Sequence, residues 1–245
     1  MKQSLFTLEH ARQLTEDTYE LVLSGDTSAI TAPGQFVNIQ LPGRYLRRPI
    51  SICNWTEDAL MLLVKVVGDG TRELVRSVPG TELDVLSGLG NGFDAALAGD
   101  RPVLAGGGIG IAPLYGLARR MLAARQAPTV ALGFRSGRDA FYLEEFAALG
   151  CRLLIATEDG SLGTRGFVTD CIRNVPECRY VLACGPLPML RAVHGLPQLT
   201  GGQFSFEARM GCGFGACMGC TVPTRDGYKR VCKDGPILYK EEIVW

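Results

Sequence analysis

A chain of 245 residues, 47% hydrophobic and 20% charged, has the composition of an ordinary globular protein and the length for two modest domains. Twenty-five Lys and Arg balance twenty-five Asp and Glu, so the charge footprint of a nucleic-acid or anionic-membrane binder is missing. With only His10 and His194 present, most Ser-His and Cys-His nucleophile schemes are excluded at the outset.

From Leu5 to about Leu97 the chain reads as short strands between turn signals. Tyr19–Leu23, Gln35–Leu41 and Ala59–Val67 are bounded by Gly, Pro, Asp or Asn, a pattern that predicts a small antiparallel barrel. Pro33-Gly34 marks a turn before the second of these. Within the region lies Arg47-Arg48-Pro49-Ile50-Ser51-Ile52. An arginine held extended beside a proline presents its fork to a phosphate, and a solvated arginine pair at a strand start is the alternative.

From about Gly99 the rhythm becomes strand, helix, strand. Pro102–Ala105 is a buried strand, Gly106–Gly110 a glycine-rich turn, and Ile111–Gln126 a helix. That unit aims helix N-terminal amides at a phosphate, though it departs from the strict G-x-G-x-x-G pattern and also fits a plain tight turn. Strands are expected at Thr129–Phe134, Arg152–Thr157 and Arg179–Ala183, and helices at Ala140–Leu149, Phe167–Asn174 and Pro188–His194. The alternation predicts a parallel sheet with right-handed crossovers. Cys184-Gly185-Pro186-Leu187-Pro188-Met189 closes the last strand and shares the sheet's carboxyl edge with the glycine turn. Pro102–Ala118, the longest uncharged run, is broken by five glycines and two prolines and is too short to span a membrane. Met1–Phe6 lacks the apolar core of a signal peptide.

Gln203–Glu207 reads as one more strand leading into a cysteine-rich loop. Cys212, Cys217 and Cys220 stand at C-x4-C-x2-C, and Cys232 follows after eleven intervening residues. Four thiolates at this spacing suit a [2Fe–2S] cluster of the plant-type ferredoxin pattern. Zinc normally takes two separated CxxC-like pairs, a disulfide needs an oxidising compartment, and buried thiols seldom crowd a glycine-rich loop. A hairpin near Asp226-Gly227 is expected to carry Cys232 around the cluster. The other five cysteines, Cys53, Cys151, Cys171, Cys178 and Cys184, are scattered as in a reduced, cytoplasmic protein. The expected division is 1–98 barrel, 99–202 α/β domain and 203–245 cluster module.

The ordered set RPIS, Gly-Asp-Gly-Thr, GGGIG-IAPL, CGPLPM and the four-cysteine loop resembles the ferredoxin–NADP reductase superfamily with a C-terminal [2Fe–2S] module. Within it, the chain resembles the electron-transfer subunits of NAD-dependent, class 1B dihydroorotate dehydrogenases. The resemblance implies that Arg48, Pro49, Ile50 and Ser51 contact FAD, with Arg48 on the pyrophosphate and Ser51 near the ring. Leu63, Val64, Lys65, Gly70 and Thr71 would complete the flavin site. Gly106, Gly107, Gly108, Ile109 and Gly110 would receive NAD, together with Cys184, Gly185, Pro186 and Met189. Cys212, Cys217, Cys220 and Cys232 would ligate the cluster.

The same resemblance implies a relay. An FMN-containing catalytic partner, in a heterotetramer of two catalytic and two electron-transfer subunits, would oxidise dihydroorotate. Electrons would then reach NAD+ through the [2Fe–2S] centre and FAD, with no catalytic acid, base or nucleophile on this chain. Cys53, Cys184 and Glu207 are the reactive side chains nearest such a site. Rival readings in the same fold are the NAD(P)-linked flavin subunit of a hydrogenase, sulfite reductase or ferredoxin:NADP transhydrogenase. Outside that class stand a zinc-stabilised interaction module and a stand-alone ferredoxin-like carrier.

Overall fold

Side chains that alternate between two faces close the amino-terminal part of the chain on itself. The computed structural model describes residues 1–245 and gives six strands there: β1 (Lys2–Gln13), β2 (Thr18–Ser24), β3 (Phe36–Ile39), β4 (Arg48–Trp55), β5 (Ala59–Lys65) and β6 (Glu82–Leu89). They pair antiparallel as a closed barrel in the order β1-β2-β5-β4-β3-β6. On β6, Leu83 and Val85 turn inward while Glu82 and Asp84 turn out, the period-two pattern of a half-buried strand. Phe6, Leu21, Val37, Ile52, Leu62 and Val64 fill the interior.

Two expectations shift for local reasons. The strand expected over 35–41 shortens to Phe36–Ile39. The Gln35 side-chain Oε1 accepts from the Thr31 and Ala32 amides, and the Gln40 side-chain Nε2 donates to the Leu41 and Arg44 carbonyls, so both flanks turn. The Gly-Asp-Gly-Thr segment, expected as a turn, opens a short helix, α1 (Asp69–Val75). Thr71 Oγ1 accepts the Val67 and Gly68 amides and thereby fixes the approach to that helix.

The second half alternates as the sequence predicts. Strands β7 (Val103–Gly107), β8 (Thr129–Phe134), β9 (Arg152–Thr157), β10 (Thr164–Arg165), β11 (Tyr180–Cys184) and β12 (Gly201–Ser205) are joined largely through helices α2 (Ala112–Ala123), α3 (Leu143–Ala148), α4 (Val168–Arg173) and α5 (Leu187–His194). The sheet order is β10-β9-β8-β7-β11-β12-β15, parallel throughout until β15 (Ile237–Tyr239) adds antiparallel on β12. Helix α2 stops short of the expected end because Arg125 adopts φ 63°. There the Gln126 side chain turns back, its Nε2 donating to the Ala95 and Gly99 carbonyls. Helix α3 begins late because Tyr142 also takes φ 63°. Strand β12 starts at Gly201, two residues before expected, in register with Tyr180–Cys184 of β11.

A hairpin of β13 (Thr221–Thr224) and β14 (Gly227–Arg230) follows the cysteine loop, and Cys232 comes just after it. No helix is long and apolar enough to cross a membrane.

Barrel and sheet meet through a polar latch and an apolar seam. Glu20 on β2 is buried, accepts from the Tyr142 hydroxyl, and pairs with Arg12 at 3.1 Å. Arg12 in turn reaches Glu145 of α3 at 3.0 Å. On the opposite edge Arg120 of α2 lies 3.9 Å over the Trp55 ring, a cation–π contact.

Arg47 and Asp84 tie β4 to β6 with a two-pronged pair, Nη1–Oδ1 at 2.9 Å and Nη2–Oδ2 at 2.8 Å. The Arg47 guanidinium holds the Asp84 carboxyl below its ordinary value of 3.8. A depressed carboxyl pKa contributes stability that is complete above the unfolded value and is lost as pH falls through the folded one. Asp84→Asn is therefore expected to cost ~1 kcal/mol in urea unfolding at pH 7. The difference should shrink below pH 3.8; a difference that grows there contradicts the assignment.

Candidate functional site

Chain order places the fold's crevice. From β7 the chain winds outward through β8, β9 and β10, then returns to the other side of β7 as β11 and β12. Open α/β sheets bind ligands outside the carboxyl ends of strands at such a reversal. Here the end of β7 is the glycine turn and the end of β11 is Cys184-Gly185-Pro186, aligned by the pairing of Cys184 with Gly106. The two turns interlock: a Cβ on Gly110 would stand 2.4 Å from the Cys184 carbonyl oxygen and 2.6 Å from Gly185 Cα.

A cavity of about 600 Å³ opens there, between sheet and barrel. The glycine turn supplies Gly107, Gly108, Ile109 and Gly110, and the β11 turn supplies Gly185, Pro186 and Met189. Lys65 enters from the barrel side. Of the other expected nucleotide contacts, Gly106 lies buried within β7 and Cys184 is buried at the end of β11, so neither lines the cavity. Several lining residues escaped the sequence reading: Asp17, Thr18, Phe134, Glu158 and Phe167. Phe134 ends β8 and Glu158 follows the end of β9, so the carboxyl-edge rule was the signal for both. Asp17, Thr18 and Phe167 carried none.

The two cysteine side chains here are buried and held in their neutral forms. Burial pushes the Cys184 thiol up to about 12 and raises Cys53 further; Glu207, exposed as a residue, lines the cavity, and partial desolvation there raises its carboxyl. A thiol so far from ionising is no nucleophile at neutral pH.

The RPIS residues form a separate strip along β4. Structure divides the arginine pair: Arg47 is consumed by Asp84, whereas Arg48 donates only to the Leu46 and Arg47 carbonyls and meets no carboxylate. Its guanidinium crosses Gly70, where a Cβ would lie 2.0 Å from Nε. An unpaired fork over a bare backbone suits a pyrophosphate. Pro49 and Ser51 share the outer face of β4, in register with Asn38 and Phe36 of β3. Ile50, on the inner face, packs on the barrel core. Val64 faces the barrel interior and Leu63 packs toward the sheet domain, so both are spent on packing. The Thr71 hydroxyl is likewise engaged by backbone.

The cysteine loop arranges its sulfurs as two pairs. Cys212 and Cys217 exchange N–H···S contacts, each at 3.4 Å, and Cys232 N donates to Cys220 Sγ at 3.4 Å. The first pair is partly exposed, while the second is buried with Phe36, Leu89 and Phe206. No three metal-binding side chains converge on one point. A [2Fe–2S] centre takes four thiolates, two for each iron, and two sulfur pairs are the donor set it would use. Burial pushes the Cys212 thiol up, yet hydrogen bonds from the amides of Cys217, Phe214 and Ala216 and from the Cys217 side chain outweigh it and bring it down to about 6. Arg230 braces the loop, pairing with Asp234 at 2.9 Å and donating to the Gly215 carbonyl at 2.9 Å.

Residues 207–244 match the family model "Iron-sulfur cluster binding domain of dihydroorotate dehydrogenase B", and residues 104–195 match the "Oxidoreductase NAD-binding domain". A Geobacillus sp. (strain WCH70) protein is 43% identical over 256 residues, spanning 100% of this chain and 99% of that protein. A Listeria monocytogenes serotype 4a (strain HCC23) protein is 41% identical, with 99% of each chain covered. Both are named dihydroorotate dehydrogenase B (NAD(+)), electron transfer subunit. The chain belongs to that family.

Among solved structures, an NADH-dependent reduced ferredoxin-NADP oxidoreductase superposes with a TM-score of 0.89 at 29% identity, covering 99% of this chain and 90% of that one. An Amycolatopsis cytochrome P450 reductase matches with a TM-score of 0.69 at 26% identity, covering 78% of this chain and 65% of its own. The dihydroorotate dehydrogenase B electron-transfer family is thus a branch of the ferredoxin-reductase fold with a cluster module appended. Its cofactor set is [2Fe–2S], FAD and NAD, and the chain is an oxidoreductase subunit.

Gly110→Ala should push the β7 and β11 turns apart and raise the KM for NADH at least about tenfold in dye-reduction kinetics, the loss of ~1.4 kcal/mol of binding. An unchanged KM contradicts the interlocked-turn site.

Proposed function

We propose that this electron-transfer subunit receives electrons from an FMN-containing catalytic subunit that oxidises dihydroorotate, and delivers them to NAD+. The observation that carries this reading is the docking of a two-pair thiolate loop on the outer face of a barrel whose adjacent strand presents Arg48, Pro49 and Ser51. When bound, the cluster handles single electrons and the flavin joins them into the hydride that NAD+ accepts.

The chain's own residues bind, orient and exclude water. Cys212 and Cys217 would hold one iron of the cluster, and Cys220 and Cys232 the other. Arg48 neutralises the pyrophosphate of FAD, Gly70 lets it approach, and Pro49 and Ser51 border the flavin ring. Ile50, Leu63, Val64 and Thr71 set the strands and turn that shape the flavin site, and Lys65 stands at its junction with the nucleotide cavity. Gly107 to Gly110, at the start of α2, would take the NAD pyrophosphate, and Gly185, Pro186 and Met189 would border the dinucleotide from the β11 side. Gly106 and Cys184 hold the two turns in register from within the sheet. No side chain is asked to carry a proton in catalysis, which fits the buried, un-ionised thiols of Cys53 and Cys184. The flavin, nucleotide and cluster roles fall to residues 1–98, 99–202 and 203–245. Strand β12 straddles the last boundary, and β15 returns to it, so the cluster module is stitched into the nucleotide sheet. The working assembly in this reading is a heterotetramer of two catalytic and two electron-transfer subunits in the cytoplasm.

The isolated chain is expected to reduce dyes with NADH and to leave dihydroorotate untouched; mixing with the catalytic subunit should produce orotate-linked NADH formation. Light scattering of the co-purified complex should give the mass of two subunits of each kind. Dihydroorotate oxidation by the chain alone would overturn the reading. Cys232→Ser should retain dye reduction and lose at least about 90% of the coupled reaction, because one iron loses a buried ligand; full coupled turnover in that variant contradicts the ligand assignment.

A further inference from the structure

Asn38 projects from the outer face of β3 into the seam between barrel and cysteine loop, and is 1% exposed. Its Nδ2 donates to the carbonyl of Cys212 at 3.2 Å. Its Oδ1 is buried and has no hydrogen-bond partner. A buried acceptor left without a donor costs about 1–3 kcal/mol, so the amide is present against a penalty that an apolar residue of similar size would avoid.

The loop is shaped to receive that amide. Gly213 has φ +79°, and a Cβ there would stand 2.2 Å from Asn38 Nδ2, so backbone and space both demand glycine. Arg47 steadies the strand from the barrel side, donating to the Asn38 carbonyl at 3.3 Å while gripping Asp84. A trans peptide carries its C=O and N–H on opposite sides. Pinning the Cys212 carbonyl to the barrel therefore turns the Gly213 N–H away from it. Beyond that peptide, the amides of Ala216 and Cys217 reach Cys212 Sγ at 3.3 and 3.4 Å.

We infer that Asn38 is a positioning residue for the iron–sulfur centre: it locks the Cys212–Gly213 peptide, and with it the amides that face the Cys212 sulfur, so that a barrel strand sets the centre's reduction potential. This rests on Cys212 being a cluster ligand. Amides directed at sulfur favour the more negative, reduced form, so loosening them lowers the potential.

The test uses the full holo chain, purified without oxygen, as wild type, Asn38→Leu and Gly213→Ala. Iron, sulfide and FAD content are measured first, then the potential by EPR-monitored titration and the rate of bleaching in EDTA. Asn38→Leu should keep its FAD, shift the potential negative and bleach about five- to tenfold faster, the loss of one hydrogen bond of ~1–1.5 kcal/mol. A potential and bleaching rate equal to wild type in an FAD-loaded Asn38→Leu overturn the inference. If Asn38→Leu loses FAD, Gly213→Ala decides by the same two readings, because its methyl presses on the amide from the loop side. Wild-type chain without iron overturns instead the ligand assignment beneath it.

Discussion

Everything the molecule does depends on a glycine-rich loop being held against the outside of a barrel. Barrels usually leave their outer faces to solvent, and this one does not: Phe36 on β3 and Leu89 on β6 are buried against Cys220, Cys232 and Phe206. The return of the chain through β15, together with Asn91, which donates to the Ile237 carbonyl at 2.9 Å and accepts from its amide at 2.9 Å, keeps the loop in place. Burial of the inner sulfur pair follows from that docking, as does the partial exposure of the outer pair. One end of the donor set therefore faces the barrel and the other faces outward, the polarity a relay requires.

A second consequence concerns chemistry that the chain does without. Its two histidines stand apart from the cavity, and His194 is occupied with the Lys240 carbonyl at 3.0 Å. The buried thiols and the cavity carboxyl are all shifted toward their neutral forms. An electron conduit gains from such surroundings, because thiols that stay protonated add no competing nucleophile beside the cofactors. The Glu20–Tyr142–Arg12 latch holds barrel and sheet together beside that cavity, and Phe141, next to Tyr142 in the chain, forms part of its wall.

Much of this was legible in the residues. Thr129–Phe134 and Arg152–Thr157 read off as strands with both ends right, because continuous β-branched and apolar runs bounded by polar turns leave little choice. The cysteine spacing pointed to a two-iron site, and the pairing of sulfurs agrees with it. Ends governed by side chains were harder: Gln35, Gln40 and Gln126 reach back to backbone groups and stop elements that periodicity would extend. The division of labour between Arg47 and Arg48 was not legible at all, since Asp84, which claims Arg47, lies on a strand 37 residues away. Asp17 in the cavity and Asn38 at the seam are likewise products of topology, set by which strand ends and faces the fold brings together.

Mössbauer spectroscopy of the chain enriched in iron-57 and purified without oxygen tests the central claim most directly. Two sulfur pairs, one buried and one partly exposed, predict two irons per chain in tetrahedral sulfur sites, distinguishable from one another in the one-electron-reduced state. A single iron in one four-sulfur site, or a chain that holds zinc in its place, would contradict the account.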